Sequence, residues 1–254
     1  MRFIKIINTA NSKKYDKFAI SVQCNSICIA GFCDHFKILF SGIMHITVFG
    51  AGGTIGRLLV TKALHEGHFV TAYTRNASKI NIRHKNLTFV QGEMYDYEKI
   101  HRAISGADSI ICTLGPPVKR KYEGSLVLDG HSNIIKAMRE ENIRRLITIA
   151  TPSVKFKMDV PSLTTWIPGF MAKLIYSKAY KETVQIGQLV SKCNLDWTIV
   201  RFISPNNTLA KGRVKVTFGD IKITFGISRH DIADFLLKQT IDEQYIHSMP
   251  IIGN

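Results

Sequence analysis

The chain has 254 residues, 45% hydrophobic and 21% charged, with 34 Lys+Arg against 19 Asp+Glu and a formal charge of +15. That length suits one α/β domain with a sizeable core, and the charged fraction argues against both a disordered chain and one embedded in a membrane. The charge favours anionic ligands, but the basic residues are scattered with no arginine-rich or aromatic-interleaved stripe, so no nucleic-acid partner is expected.

Residues 1–43 differ in character from the rest of the chain. A polar stretch without period (Asn8, Asn11 to Lys17) precedes an uncharged run over 18–33, which Ser21, Gln23, Asn25 and Ser26 interrupt, leaving it short of a membrane span. Lys13, Lys14 and Lys17 ahead of an apolar stretch imitate a signal sequence, yet no small-x-small cleavage site is evident. The segment reads as an N-terminal extension, non-native or disordered, with Met44 as the functional start and 44–254 as the domain. Five cysteines (Cys24, Cys28, Cys33, Cys112, Cys193) match neither a disulfide framework nor a metal-ligand spacing, so a cytoplasmic compartment and no metal are expected.

From residue 45 onward, apolar runs of four to six residues alternate with helical stretches, the pattern of a doubly wound parallel sheet. Strands are predicted at 45–49, 69–74, 87–91, 109–114, 145–150 and 197–201, with helices near 55–66, 97–105, 127–142 and 172–192. The first strand runs into Gly50-Ala51-Gly52-Gly53-Thr54-Ile55-Gly56 and then a helix. Glycines at this spacing permit the tight turn (Gly50), close approach of a pyrophosphate (Gly53) and close helix packing (Gly56), with the helix N-terminus facing the phosphates. The second strand ends at Arg75 with no Asp or Glu competing, which favours the 2′-phosphate of NADP(H) over the ribose hydroxyl of NAD(H). The fourth strand empties into Thr113-Leu114-Gly115-Pro116-Pro117, beside the expected ribose and nicotinamide. Lys119, Arg120 and Lys121 follow, either drawing in a substrate anion or simply solvated. After Arg201, Ser204 to Asn207 reads as a loop, 213–218 and 221–225 as short strands, 229–240 as a helix opened by Ser228, and Ile251-Ile252 as a final edge strand.

These motifs resemble the atypical short-chain dehydrogenase/reductases, the group of NmrA-like proteins and biliverdin/flavin reductases, over about 44–254. The resemblance rests on the glycine turn at 50–56, Tyr73 to Asn76, Gly92-Glu93-Met94, Thr113 to Gly115 and Ala150 to Ser153. Leu195 to Arg201 and Gly226 to Phe235 continue it. It implies a single-domain Rossmann fold with strand order 3-2-1-4-5-6. Gly50, Gly53, Thr54, Ile55 and Gly56 would take the pyrophosphate, Arg75 the 2′-phosphate, and Glu93 and Met94 would flank the adenine. Thr113, Leu114 and Gly115 would line the ribose, while Thr151, Pro152 and Ser153 would border the nicotinamide.

One departure bears on mechanism. The typical short-chain dehydrogenases carry Tyr-x-x-x-Lys on the helix after the fifth strand, in which the lysine lowers the tyrosine pKa for proton exchange with a substrate oxygen. Tyr176-Ser177-Lys178-Ala179-Tyr180-Lys181 never places Lys four after Tyr, and the Tyr95–Lys99 match falls on the adenine side. The expectation is hydride transfer to a flavin, quinone or similar conjugated acceptor without that pair. Thr151, Ser153 and Tyr176 are the candidate catalytic residues, Tyr180 a candidate for the mouth, and Trp166 and Phe170 candidates for an apolar lid. His131 and His230 read as structural. The alternative is an NADP-binding redox sensor of the NmrA type without turnover; a nucleotide-sugar epimerase ranks third. The expected partner is a small anionic or planar conjugated substrate, with no membrane, for a monomer or homodimer.

Overall fold

The computed structural model describes residues 42–117, 119, 122–161, 173–224 and 226–254, without the Lys79 side chain. The N-terminal extension as far as Ser41, Arg120, Lys121, Trp166 and Phe170 lie outside the described residues. Five strands follow the predicted pattern: β1 (His45–Phe49), β2 (Phe69–Thr74), β3 (Leu87–Gln91), β5 (Arg145–Ala150) and β6 (Asp196–Arg201). β4 (Ser109–Cys112) is shorter than expected. The Thr113 N–H still reaches the Phe49 carbonyl at 2.9 Å, but Pro116 and Pro117 have no N–H with which to extend the ladder. The intervening helices are α1 (Thr54–His65), α2 (Tyr97–Ile104), α3 (Leu126–Glu140) and α4 (Ser177–Ser191).

The parallel order β3-β2-β1-β4-β5-β6 places the topological switch between β1 and β4, each of which pairs with the other in register Ile46↔Ser109 to Phe49↔Cys112. Every residue of β4 is buried, as expected for a strand covered on both faces. One apolar core packs α2, α3 and α4 on one face through Ile104, Ile110, Ile134 and Trp197. The other packs α1 and α5 (Arg229–Lys238) through Leu59, Ile111, Ile147 and Leu236. Each fully buried isoleucine stabilises the fold by roughly 1.5–3 kcal/mol.

The C-terminal part departs most from expectation. Ser204–Asn206, read as a loop, is β7, and pairs in parallel with β9 (Gly226–Ser228). Of the run expected over 221–225, the described residues 221–224 form no strand: Asp220 accepts the Thr217 hydroxyl at 2.8 Å and the Phe218 N–H at 3.0 Å, turning the chain through Gly219 at φ +104° directly after β8 (Lys215–Thr217). The last strand, β10 (Ile251–Gly253), is not at the edge. It pairs in parallel with β6 and antiparallel with β8, so β8 forms the margin of the eight-stranded sheet. Two apolar residues carry no trace of that insertion. Among the described residues, no helix is long and apolar enough to cross a membrane.

Candidate active site

The carboxyl ends of β1, β2 and β4 open onto a cleft of about 310 Å³. It brings together seven of the predicted residues: Gly50, Gly53, Arg75, Met94, Thr113, Leu114 and Gly115, with Gly52, Tyr73, Thr74, Asn76 and Gly92 completing the lining. The turn depends on its glycines. Gly50 has φ +79°, and a Cβ there would lie 2.8 Å from the Thr113 hydroxyl. A Cβ at Gly56 would lie 2.3 Å from the Gly50 carbonyl oxygen, so α1 approaches the turn more closely than any side chain allows. At Gly53 the nearest protein atom to a Cβ would be 3.2 Å away, and the residue's open side belongs to the cleft.

The first intrahelical bond of α1 runs from the Arg57 N–H to the Gly53 carbonyl at 2.9 Å. Among the described residues, the N–H groups of Thr54, Ile55 and Gly56 meet no protein acceptor. Three amide donors at the positive end of a helix dipole are suited to a pyrophosphate. Arg75 is exposed at the rim and makes no polar contact among the described residues. Its neighbours are committed: Asn76 accepts the Ser78 N–H at 2.9 Å, and Thr74 accepts the Asn76 N–H at 3.2 Å. The arginine thus projects from a fixed turn. These residues fit a dinucleotide.

Several predicted residues have duties of their own. Thr113 donates its hydroxyl to the Phe49 carbonyl at 3.1 Å, stapling the end of β4 to the glycine turn. Glu93 does not line the cleft; its carbonyl accepts the Tyr73 hydroxyl at 2.7 Å, and burial, followed by Asp96 and Glu93, pushes the Tyr73 phenol above its ordinary range. Met94 is buried and packs on α3, where a Cβ at Gly130 would lie 2.4 Å from its methyl group. After β5, Thr151 is exposed and Pro152 and Ser153 are buried; the Thr151 and Ser153 hydroxyls bond to each other. Tyr176 stands at the N-cap of α4, rather than within the helix as predicted, and Tyr180 lies in its first turn. His131 spans the Val127 carbonyl at 2.7 Å and the Thr148 hydroxyl at 3.0 Å, a fully buried link between α3 and β5.

Two networks were not read from the sequence. Arg201, wholly buried at the end of β6, donates to both Asp159 oxygens at 2.7 and 2.6 Å and to the Val154 and Met249 carbonyls, each at 2.8 Å. It fixes the post-β5 loop that carries Thr151 to Ser153. Glu182 on α4, only 2% exposed, accepts the Val127 and Leu128 N–H groups at 3.2 Å and the Tyr122 hydroxyl at 2.6 Å. It caps α3 from another helix. Burial and then Glu182 drive the Tyr122 phenol upward, and Lys178 sits over the Tyr122 ring, 4.6 Å from its centroid. Lys178 and Glu182, four apart on one helix, look in sequence like an ordinary surface ion pair.

A family model described as NAD(P)H-binding matches residues 50–243. Phenylcoumaran benzylic ether reductase TP7 of Nicotiana tabacum is 26% identical over 219 residues, covering 80% of this chain and 66% of the tobacco protein. The chain therefore spans a little under two-thirds of that relative's length. Among solved structures, a short-chain dehydrogenase/reductase from Veillonella parvula in complex with NADP superposes with a TM-score of 0.68 at 19% identity, covering 84% of this chain and 95% of that one. The anaerobillin reductase ChuY from Escherichia coli gives 0.66 at 20% identity, covering 82% and 96%. Both share the fold described above. With a glycine turn, three open amides at the head of α1 and a match over most of its length, the chain belongs to the NAD(P)H-binding family of Rossmann-fold proteins.

Proposed function

We propose that the protein is a reductase that uses NADPH to reduce a flavin, quinone or similar conjugated acceptor, without a Tyr-x-x-x-Lys pair. The observation that carries the cofactor preference is Arg75, held at the cleft rim by the Thr74–Asn76 turn and uncommitted among the described residues. A guanidinium in that position suits the 2′-phosphate by charge-assisted hydrogen bonds. The relatives named as a phenylcoumaran benzylic ether reductase and an anaerobillin reductase support the reaction class.

When bound, the reduced nicotinamide supplies a hydride to an electron-poor centre of the acceptor, and the accompanying proton comes from solvent. The protein's part is orientation. Gly53 to Gly56 hold the pyrophosphate, Thr113 to Gly115 line the ribose, and the loop from Thr151 to Ser153, pinned by Arg201, borders the ring. The bond between the two hydroxyls favours a bracing duty for that pair over proton donation. Tyr176, at the N-cap of α4, is the phenol assigned to the acceptor side in this proposal. Alignment of donor and acceptor accounts for the rate.

The test is NADPH oxidation by the full chain with FMN, riboflavin, a quinone and biliverdin as acceptors, for wild type and Arg75→Ala, with NADH as the comparison cofactor. Saturable turnover is expected, with the NADPH dissociation constant raised about 10- to 100-fold in Arg75→Ala and that for NADH unchanged. Tight NADPH binding with no turnover of any acceptor would overturn the reductase reading in favour of a cofactor sensor.

A further inference from the structure

A second cavity of about 310 Å³ lies against α1 outside the cleft, lined by Thr54, Arg57, Leu58 and Thr61 of that helix with Asn207, Arg229 and His230. The four α1 residues follow the spacing of one helix face. Arg229 and His230 open α5, which packs along α1. Three basic side chains thus surround the space, and among the described residues no carboxylate lines it.

The acidic groups of α5 are occupied elsewhere. Asp231, 1% exposed, accepts the Lys211 N–H at 3.0 Å and the Gly212 N–H at 3.1 Å. Asp234 pairs with Lys62 one turn farther along. Arg229 donates to Asn207 Oδ1 at 2.7 Å, which orients its guanidinium while using one of its five N–H donors. Asn207 follows β7, one of the elements the sequence did not reveal. A cavity of this size, with an oriented guanidinium and no carboxylate in its lining, has the chemistry of a phosphate site.

We propose that this cavity is a phosphate subsite in which Arg229, with His230 beside it, holds a phosphoryl group next to the head of α1. The inference rests on the pyrophosphate lying at that helix N-terminus. The group belongs either to the dinucleotide itself, its outer phosphate oxygens reaching past Thr54, or to a separate phosphate monoester such as a phosphorylated acceptor.

Inorganic phosphate, titrated calorimetrically into the full chain with and without saturating NADPH, tests this in wild type, Arg229→Gln and Arg229→Lys. Phosphate that binds alongside NADPH and weakens at least tenfold in Arg229→Gln supports a separate phosphoryl group. Phosphate excluded by NADPH, with the NADPH dissociation constant raised at least tenfold in Arg229→Gln, supports the dinucleotide's own phosphate. Arg229→Lys keeps the charge without the fork and is expected to fall between the two, which covers the case where Arg229→Gln is too unstable to assay. Unchanged phosphate and NADPH affinities in a folded Arg229 variant would overturn the subsite. Failure of wild type to bind NADPH at all would instead defeat the cofactor reading, and the phosphate titration would still judge the cavity.

Discussion

Around the glycine turn the cleft is shaped by backbone, whereas the loop after β5 is held by side chains that reach across long stretches of sequence. At the head of α1, the N–H groups of Thr54 to Gly56 follow a turn that requires Gly50 at φ +79° and Gly56 without a Cβ. The post-β5 loop holds its shape because Arg201 grips Asp159, and because the Val160 N–H reaches the Phe218 carbonyl at 2.8 Å from the C-terminal excursion. The first region depends on chain geometry that only glycine permits at Gly50 and Gly56. The second region depends on particular charged pairs. In the proposed reading, a rigid backbone element would take the cofactor, while the loop after β5 rests on contacts that substitution can retune.

The largest expected effect lies in the second region. Asp159→Ala leaves the wholly buried Arg201 guanidinium without its carboxylate, and about 3–5 kcal/mol of stability is expected to be lost in denaturant melts. Replacing both groups, Arg201→Met with Asp159→Leu, is expected to cost clearly less, since no charge is then buried alone. Equal losses would mean that packing, not charge, holds the loop.

In the first region, Gly56→Ala places a methyl 2.3 Å from the Gly50 carbonyl oxygen and forces α1 outward. Such overpacking costs about 1–3 kcal/mol. It is also expected to weaken NADPH at least tenfold, because the helix carries the phosphate donors. A fall in thermal stability with unchanged NADPH affinity would separate the turn from the site. Glu182→Ala removes the acceptor of two α3 amides and of the Tyr122 hydroxyl, with an expected cost of about 1–3 kcal/mol. Glu182→Gln keeps an acceptor oxygen and is expected to cost less. The discriminating readout is a KM for the acceptor that rises while NADPH affinity holds.

The contrast between the regions also explains what could be read beforehand. Glycine spacing and apolar runs are local signals, so β1 to β6, the turn and the cofactor class were legible, and the family match bears out that reading. Arg201, Asp159 and Glu182 are ordinary letters until the fold brings them together: Arg201 and Asp159 are 42 positions apart, and Glu182 meets α3 from 54 and 55 positions away. β7 and β10 were missed or misplaced because three residues are too few to show a period, and their pairing is decided by tertiary contacts. Thr113 lines the cleft as its place after β4 suggested, but its bond to the Phe49 carbonyl was not legible, since only the parallel register of β1 and β4 creates it.

The smallest effect is expected at the entrance to β6, on the opposite end of the strand from Arg201. Asp196 forms two bonds of 3.0 Å with Arg144, but the two side chains are 29% and 59% exposed, so water screens the pair. The Arg144 hydrogen bond is the main influence holding the Asp196 carboxyl below its usual range; burial opposes it, and the Arg144, His247 and Arg145 charges add to the lowering. A depressed folded-state pKa means stabilisation that is present above the unfolded carboxylate value near ~4 and is lost as pH falls through the folded one. Asp196→Asn is therefore expected to cost only about 0.2–1 kcal/mol at neutral pH. The difference from wild type should shrink in acid as the wild-type carboxyl takes up its proton. Urea melts of the two proteins across that range decide the matter: a difference that persisted unchanged in acid would show that the Asp196 side chain acts through packing and not through its charge.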